Sequence, residues 1–485
     1  MSSTSIKKNY MYNMIYQVLI MILPLITAPY LARVVGAEGT GIYSYSYSIA
    51  QYFVYFSMLG ISNLGNRSIA KIRKNRNKRN KVFSDIYTLQ LCTCSIFSVG
   101  YIVFCLLFMQ QNTNIALLQI FYVLSAFLDI SWFYFGMENF KITVVRQIFI
   151  KIFTTICIFL FVKTSDDLWK YTLILSLGTL IGQSILFVSL KKYVKYVKVN
   201  IKDIKKYIKP ALILFIPIIA TSIYRVMDKI MIGYLSNMNQ VGYYENSDKL
   251  ITTCLGIVGA LGSVMLPRMT NLVANGEVKK EKEYLIKSIE ATMFLACAIS
   301  MGIAAVAKEF IPIFYGNQFL ECIDITQMLT ISALFISWAN VVRMQYLIPN
   351  EKDKIYVISI LCGAIINLII NYTLIPRYGA KGAAWATIIA EAIVMIIQTI
   401  CSYKGIPIKK FIKKTIPFII IGLFMYICVR KISTILHGGI SGLLIEILIG
   451  GAIYLGLSII YFVYTKNEMI MRIKDKFTRR IIWFL

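Results

Sequence analysis

The chain has 485 residues, 58% of them hydrophobic and 15% charged, with a mean hydropathy of +0.68. That composition excludes an ordinary water-soluble protein and marks an integral membrane protein. Lys and Arg number 51 against 23 Asp and Glu, a formal net charge of +28. A nucleic-acid binder carries such an excess on a folded polar surface, so in this chain the position of the charge decides its meaning.

About 20 apolar residues are needed to cross about 30 Å of hydrocarbon as a helix. On that measure fourteen spans are predicted in chain order: 9–33, 42–65, 83–109, 115–136, 145–163, 169–190, 210–235, 241–266, 287–308, 323–346, 354–375, 382–403, 411–430 and 440–464. The connections are too short for a soluble domain, and an open sheet would leave its backbone unsatisfied in lipid, so the fold is all-α. With the N-terminus in the cytoplasm, 38 of the 51 basic residues fall on inner segments and 8 on outer ones. This positive-inside asymmetry predicts that both termini are cytoplasmic. It assigns the excess charge to topology and to anionic membrane lipids, and implies no nucleic acid.

The first apolar stretch is too long for a signal-peptide core and no small-residue cleavage site follows it. Ten cysteines are scattered without CxxC spacing, so neither a disulfide nor a metal centre is expected. No nucleotide-binding signature of the Walker type is present, and no cofactor is expected.

An internal repeat runs through the spans. Gly41, Tyr43, Ser46 and Arg67 recur 201 residues later as Gly242, Tyr244, Ser247 and Arg268, and Ile130-Ser131-Trp132 recurs as Ile336-Ser337-Trp338. Both halves open with a helix carrying two prolines, Pro24 and Pro29 in one and Pro210 and Pro217 in the other, and each proline removes a backbone bond and permits a bend. Six spans preserve direction, so the repeats are parallel, related by an axis along the membrane normal. The expected organisation is an N-lobe over 1–206 (spans 1–6), a C-lobe over 207–404 (spans 7–12), and 405–485 with spans 13 and 14 and a basic tail.

The segments "APYLARVVGAEGTGIYSYS" (28–46), "LDISWFYFGMENFK" (128–141), "DKIMIGYLSNMNQVGYYENSDKL" (228–250), "VMLPRM" (264–269) and "INLIINYTLIPRYGAKGAAWATIIAE" (366–391) resemble the polysaccharide transport family. These Wzx-type flippases belong to the multidrug/oligosaccharidyl-lipid/polysaccharide flippase superfamily and are related to the lipid II flippase MurJ. The resemblance covers nearly the whole chain. It implies a fourteen-helix fold that moves a polyprenyl-pyrophosphate-linked oligosaccharide to the outer leaflet by alternating access. It also implies a multi-pass protein of the cell membrane, with a polysaccharide polymerase and glycosyltransferases as partners.

Such a transporter must shelter sugars and phosphates from hydrocarbon, where each unpaired polar group costs several kcal/mol. Charges inside the spans are therefore the candidate site residues. Arg225, Asp228 and Lys229 share one face of span 7, and Glu245, Asp248 and Lys249 repeat that spacing on span 8. The two groups can meet across the hairpin, either as ion pairs that only fix it or as a working site. In the working site Arg225, Lys229 and Lys249 hold phosphate, while Asp228, Glu245 or Asp248 exchanges a proton or sodium ion.

Arg33 ends span 1 in a segment similar to the MurJ segment whose arginine is implicated in the central cavity; snorkelling to the interface is the plainer reading. Arg343 and Lys151, near inner span ends, invite the same two readings. Asp129 lies in the second resembling block and is a candidate inner gate with Arg146 or a lysine, or a structural pair. Glu391 lies mid-span in span 12, where a carboxylate needs a partner or a proton. Asn367 and Asn371 suit helix–helix bonding better than sugar binding, and Tyr43, Tyr45 and Tyr47 suit an interfacial belt better than sugar stacking. His437, the only histidine, falls in an outer loop, which argues against a histidine proton relay.

A drug/cation antiporter of the same superfamily is the nearest alternative, but three cations on spans 7 and 8 favour an anionic substrate. A membrane polymerase or prenyl-linked glycosyltransferase usually needs a large outer loop or an acidic site at a membrane face. The chain has no such outer loop. A scaffold protein is the residual case.

Overall fold

Because lipid supplies no hydrogen bonds, each apolar span satisfies its backbone internally, and the chain is built from helices throughout its described residues. The computed structural model describes the backbone of residues 3–109, 111–436 and 438–465, with side chains from residue 22 onward except at 201 and 224. His437, the tail from 466 and the side chains of Lys7 and Lys8 lie outside the described residues. In chain order the α-helices are α1 (Ser3–Met58), α2 (Ile61–Ile72), α3 (Arg76–Phe108), α4 (Thr113–Leu118), α5 (Ile120–Leu128), α6 (Ser131–Gly136), α7 (Phe140–Phe161) and α8 (Leu168–Tyr193). There follow α9 (Ile201–Leu235), α10 (Met238–Ala274), α11 (Val278–Phe314), α12 (Cys322–Val342), α13 (Asp353–Tyr378), α14 (Ala380–Cys401), α15 (Ile408–Ser433) and α16 (Ile440–Tyr464).

Among the described residues, twelve helical stretches are long and apolar enough to cross a membrane. The first two predicted spans lie in α1, which is interrupted at Gly36, where φ is 73°. That left-handed conformation suits glycine and would strain a residue with a Cβ. Two details depart from the sequence reading. The second span ends at Met58, and α2 is a separate short helix with Gly60 at its start. Span 4 is broken into α4, α5 and α6.

The break in span 4 has a polar cause. Asp129 accepts hydrogen bonds from the Ser131 backbone N–H at 3.0 Å and from the Ser131 hydroxyl at 2.5 Å, a local turn that competes with the helix. Carbonyls released at the break are taken up by Gln90 of α3, whose amide donates to Ala126 O at 2.6 Å and Asp129 O at 3.1 Å. The other end of the same amide accepts from the Trp132 indole N–H at 3.0 Å. Trp132 lies flat on Gly65 of α2, where an added Cβ would come within 2.3 Å of the ring.

The chain folds as two compact units, one of residues 1–246 and 367–383, the other of 247–366 and 384–485. These boundaries cut through α10, α13 and α14. In the first unit, Phe83, Trp132 and Phe133 centre a core against Ile61 and Ile69. The linker from α8 to α9 is stitched to α3, with Lys195 N–H on Asn80 Oδ1 at 3.0 Å and Val197 N–H on Ser84 Oγ at 2.9 Å.

In the second unit, α11 packs on α12, α15 and α16 around Phe411, Phe418 and Tyr454. Trp338, the repeat counterpart of Trp132, donates its indole N–H to Thr399 at 3.0 Å. Both repeated tryptophans thus bond a polar side chain of a neighbouring helix. Ion pairs Lys414–Glu290 at 2.7 Å and Arg430–Glu309 at 3.1 Å join α15 to α11.

The repeat is expressed as a physical contact within the first unit. A Cβ on Gly41 would sit 1.8 Å from Met238 O, and a Cβ on Gly242 would sit 2.0 Å from Ala37 O. Residues 37 and 238 stand in the same 201-residue relation as 41 and 242, so the α1–α10 crossing is reciprocal, as expected about a local twofold axis. Close backbone approach through small residues is how helices associate where the surrounding lipid is as apolar as they are. Replacing Gly41 or Gly242 by Ala is therefore expected to lower the melting temperature of the detergent-purified protein, by about 1–3 kcal/mol of stability or more, since backbone must move. Gly302, whose Cβ position is open, is the control: Gly302→Ala leaves the melting temperature unchanged or raises it.

Candidate functional site

The α1–α10 crossing sets the register of the polar groups beside it. Three residues beyond Gly41 on α1 is Ser44, and three beyond Gly242 on α10 is its repeat counterpart Glu245. The Ser44 hydroxyl donates to Glu245 Oε2 at 3.0 Å. The same oxygen receives Lys229 Nζ of α9 at 2.5 Å, with both side chains largely buried. The two charged groups predicted on spans 7 and 8 therefore meet through this pair.

One residue earlier on α9, Asp228 is buried and held by two donors. The Tyr244 hydroxyl reaches Asp228 Oδ2 at 2.7 Å and the Asn371 amide reaches Oδ1 at 2.6 Å. Asn371 also donates to Asn367 Oδ1 at 3.0 Å, one turn earlier on α13. Asn371 Oδ1 and Asn367 Nδ2 are buried without a hydrogen-bond partner. Together they form a compact set of hard oxygen atoms: a carboxylate, a phenolic hydroxyl and two amide carbonyls. Such a donor set suits a proton or a small hard cation.

Arg225, one turn before Asp228 on α9, is exposed, and it acts electrostatically on Tyr55 together with Lys229. Tyr43 and Tyr47 meet other rings of the first unit. They are half-buried against Tyr171 and Tyr122 of the same unit, with Lys229 and Glu245 acting on Tyr47. Tyr45 lies on Gly233 of α9, which would clash with its ring at 2.3 Å if it carried a Cβ.

The other predicted residues are placed as follows. Arg33 is exposed three residues before the Gly36 break, and Lys151 is exposed on α7. Asp129 makes the turn at the α5–α6 break, and Arg146 bonds Gly182 O at 3.2 Å and the Gln183 side chain on α8. Asp248 and Lys249 follow on α10 as half-buried residues of the second unit, and Glu391 is buried in α14. Arg343 opens a single π-helical turn, Arg343–Leu347, and lies over the Tyr356 ring at 5.6 Å. Sequence reasoning overlooked Tyr122, Tyr171 and Gln51, which carry no charge. It also overlooked Glu446, buried in α16 with Oε2 unpartnered, although a lone carboxylate within "GLLIEILIGG" (442–451) was a readable signal.

An all-helical, multi-pass chain with charges gathered inside the bundle defines a membrane transporter. Its fold matches that of "Lipid II flippase MurJ, inward closed conformation", with a TM-score of 0.71 over 94% of this chain and 100% of that one at 18% identity. It also matches an inward-facing multidrug resistance transporter of the MATE family, with a TM-score of 0.58 over 81% of this chain and 99% of that one at 13% identity. Residues 6–273 match the family described as "Polysaccharide biosynthesis protein", more than half of the chain, and the protein belongs to that family. It is 23% identical to a putative O-antigen transporter of Shigella dysenteriae over 77% of this chain and 94% of that protein. The corresponding figures for a putative O-antigen transporter of Escherichia coli K12 are 20%, 80% and 95%.

The Lys229–Glu245 pair is testable by charge exchange. Lys229→Ala removes the Lys229 cation from Glu245 and is expected to cost about 3 kcal/mol in stability, because the carboxylate stays partly buried. The double change Lys229→Glu with Glu245→Lys should recover most of that loss in a thermal melt, which a double-mutant cycle reads directly.

Proposed function

We propose that this protein flips a polyprenyl-pyrophosphate-linked oligosaccharide from the cytoplasmic to the outer leaflet by alternating access, for assembly of capsule, exopolysaccharide or O-antigen. Membership of the polysaccharide biosynthesis family and the similarity to O-antigen transporters along most of both chains support this reading. The observation that carries the mechanism is the clustering on α9 of two cations with a buried, doubly hydrogen-bonded carboxylate. Arg225 and Lys229 supply positive charge for the pyrophosphate, and Glu245 holds Lys229 between substrates. The exposed apolar faces of the helices, such as Leu107, Phe108 and Leu448, meet lipid, where the prenyl tail remains.

The protein breaks no bond in this reading and is not an enzyme. Its driving force is an ion gradient, taken up at Asp228 with Tyr244, Asn367 and Asn371. When the ion leaves, the carboxylate needs its donors again, so occupancy changes the bonding between α9, α10 and α13. Both termini lie in the cytoplasm, and the polymerase and glycosyltransferases of the same polymer are its partners.

Deletion in a dependent cell should cause the lipid-linked oligosaccharide to accumulate at the cytoplasmic leaflet. Arg225→Ala and Asp228→Asn should abolish surface polymer at normal protein levels, and wild-type output from both would remove these residues from the mechanism. A rise in melting temperature in sodium chloride over choline chloride, absent in Asp228→Asn, identifies sodium as the coupling ion. A sodium-independent melt whose pH dependence disappears in Asp228→Asn identifies the proton.

A further inference from the structure

We infer that one face of the second half of α1 is a carbohydrate-binding track, the place where the sugars of the lipid-linked substrate lie. The inference rests on the flippase reading above and adds the residues that recognise the glycan. Tyr43, Tyr47, Gln51 and Tyr55 recur every four residues, so their side chains form one stripe along the helix. All four are half-buried.

The stripe is continuous and polar-edged. Tyr43 and Tyr47 stack with ring centroids 5.8 Å apart and planes 12° from parallel. Tyr47 meets Tyr122 of α5 at 4.9 Å, with the two hydroxyls 3.4 Å apart, and Tyr43 meets Tyr171 of α8 at 4.6 Å. The Gln51 amide donates to the Tyr55 hydroxyl at 2.8 Å. Gln119, almost wholly buried, lies beside Tyr43, and its amide nitrogen is buried without a full hydrogen bond.

Lipid contact does not account for this surface. A lipid-facing stripe would be apolar, as Phe56 is on the same helix. Contacts within the protein pair Tyr47 with Tyr122 and Gln51 with Tyr55, yet each residue of the stripe stays partly exposed and keeps a polar edge. Sugars have the complementary chemistry, with C–H faces for aromatic rings and hydroxyls for phenol and amide edges.

Charge fixes the direction in which the substrate lies. Lys229 pairs with Glu245, and Glu245 accepts from Ser44, one turn before Tyr47 on the same helix, so a phosphate-holding cation stands beside the stripe. A pyrophosphate on that cation delivers its first sugar to the stripe. Steps of four residues are about 6 Å apart and the stripe is about 18 Å long, which accommodates roughly three sugar rings.

The test compares two lipids on the purified full-length protein in nanodiscs: the lipid-linked oligosaccharide extracted from cells lacking this protein, and polyprenyl pyrophosphate without sugars. The combined change Tyr47→Phe, Gln51→Leu and Tyr55→Phe keeps all three rings of the stripe and removes the polar edges at 47, 51 and 55. It should weaken binding of the sugar-bearing lipid by about tenfold or more while leaving the bare pyrophosphate unaffected. Tyr55→Phe alone, the mildest change, should shift the same ratio in the same direction at an unchanged melting temperature. Equal weakening for both lipids, or none for either, overturns the track while leaving the flippase reading intact. Deletion cells that accumulate no lipid-linked oligosaccharide overturn the flippase reading and the track with it.

Discussion

The contact on which the polar interior depends is the crossing of α1 and α10, where the two backbones meet with no side chain between them at Gly41 and Gly242. In lipid, water exclusion does not press helices together, so association depends on close packing and on satisfied polar groups. The glycines allow the first, and the close approach then permits the second. Ser44 reaches Glu245, Glu245 holds Lys229, and the neighbouring Asp228 is closed by Tyr244 and Asn371. A bulkier residue at the crossing would separate Ser44 from Glu245 and disturb everything joined to them.

Polar groups placed inside a membrane are constrained to pair, and their pairing explains the irregularities of this fold. The predicted fourth span is broken because Asp129 takes its hydrogen bonds locally, and the break is tolerable because Gln90 receives the released carbonyls. In the second unit Arg430 pairs with Glu309 at the end of α15, and Ser433 donates to the same carboxylate. The same economy of donors surrounds Asp228, which Tyr244 and Asn371 close.

Much of the membrane plan could be read from the chain, because the physics that sets it is local. Apolar run length fixes where helices form, and the 201-residue echo of Gly41 and Tyr43 in Gly242 and Tyr244 pointed to the pair of helices that cross. Charged candidates on spans 7 and 8 were found because a charge in an apolar run is conspicuous. That Tyr43 and Tyr47 meet the rings of Tyr171 and Tyr122 was not legible, because a tyrosine near a span end looks the same in sequence whether or not it meets another ring. Tyr122, Tyr171 and Gln51 gave no signal, being uncharged and ordinary in composition.

Helix content and the run of apolar spans follow from residue order alone, since lipid leaves the backbone no other way to bond. Which charges meet is a different kind of fact. Lys229 with Glu245, and Asp228 with an asparagine 143 residues away, are joined only by helix packing in three dimensions. Side-chain reach is a few ångströms, so partnership between distant segments is decided by how closely and at what register the helices pack. That register depends on the glycine crossing, whose consequence becomes visible only when both backbones are placed.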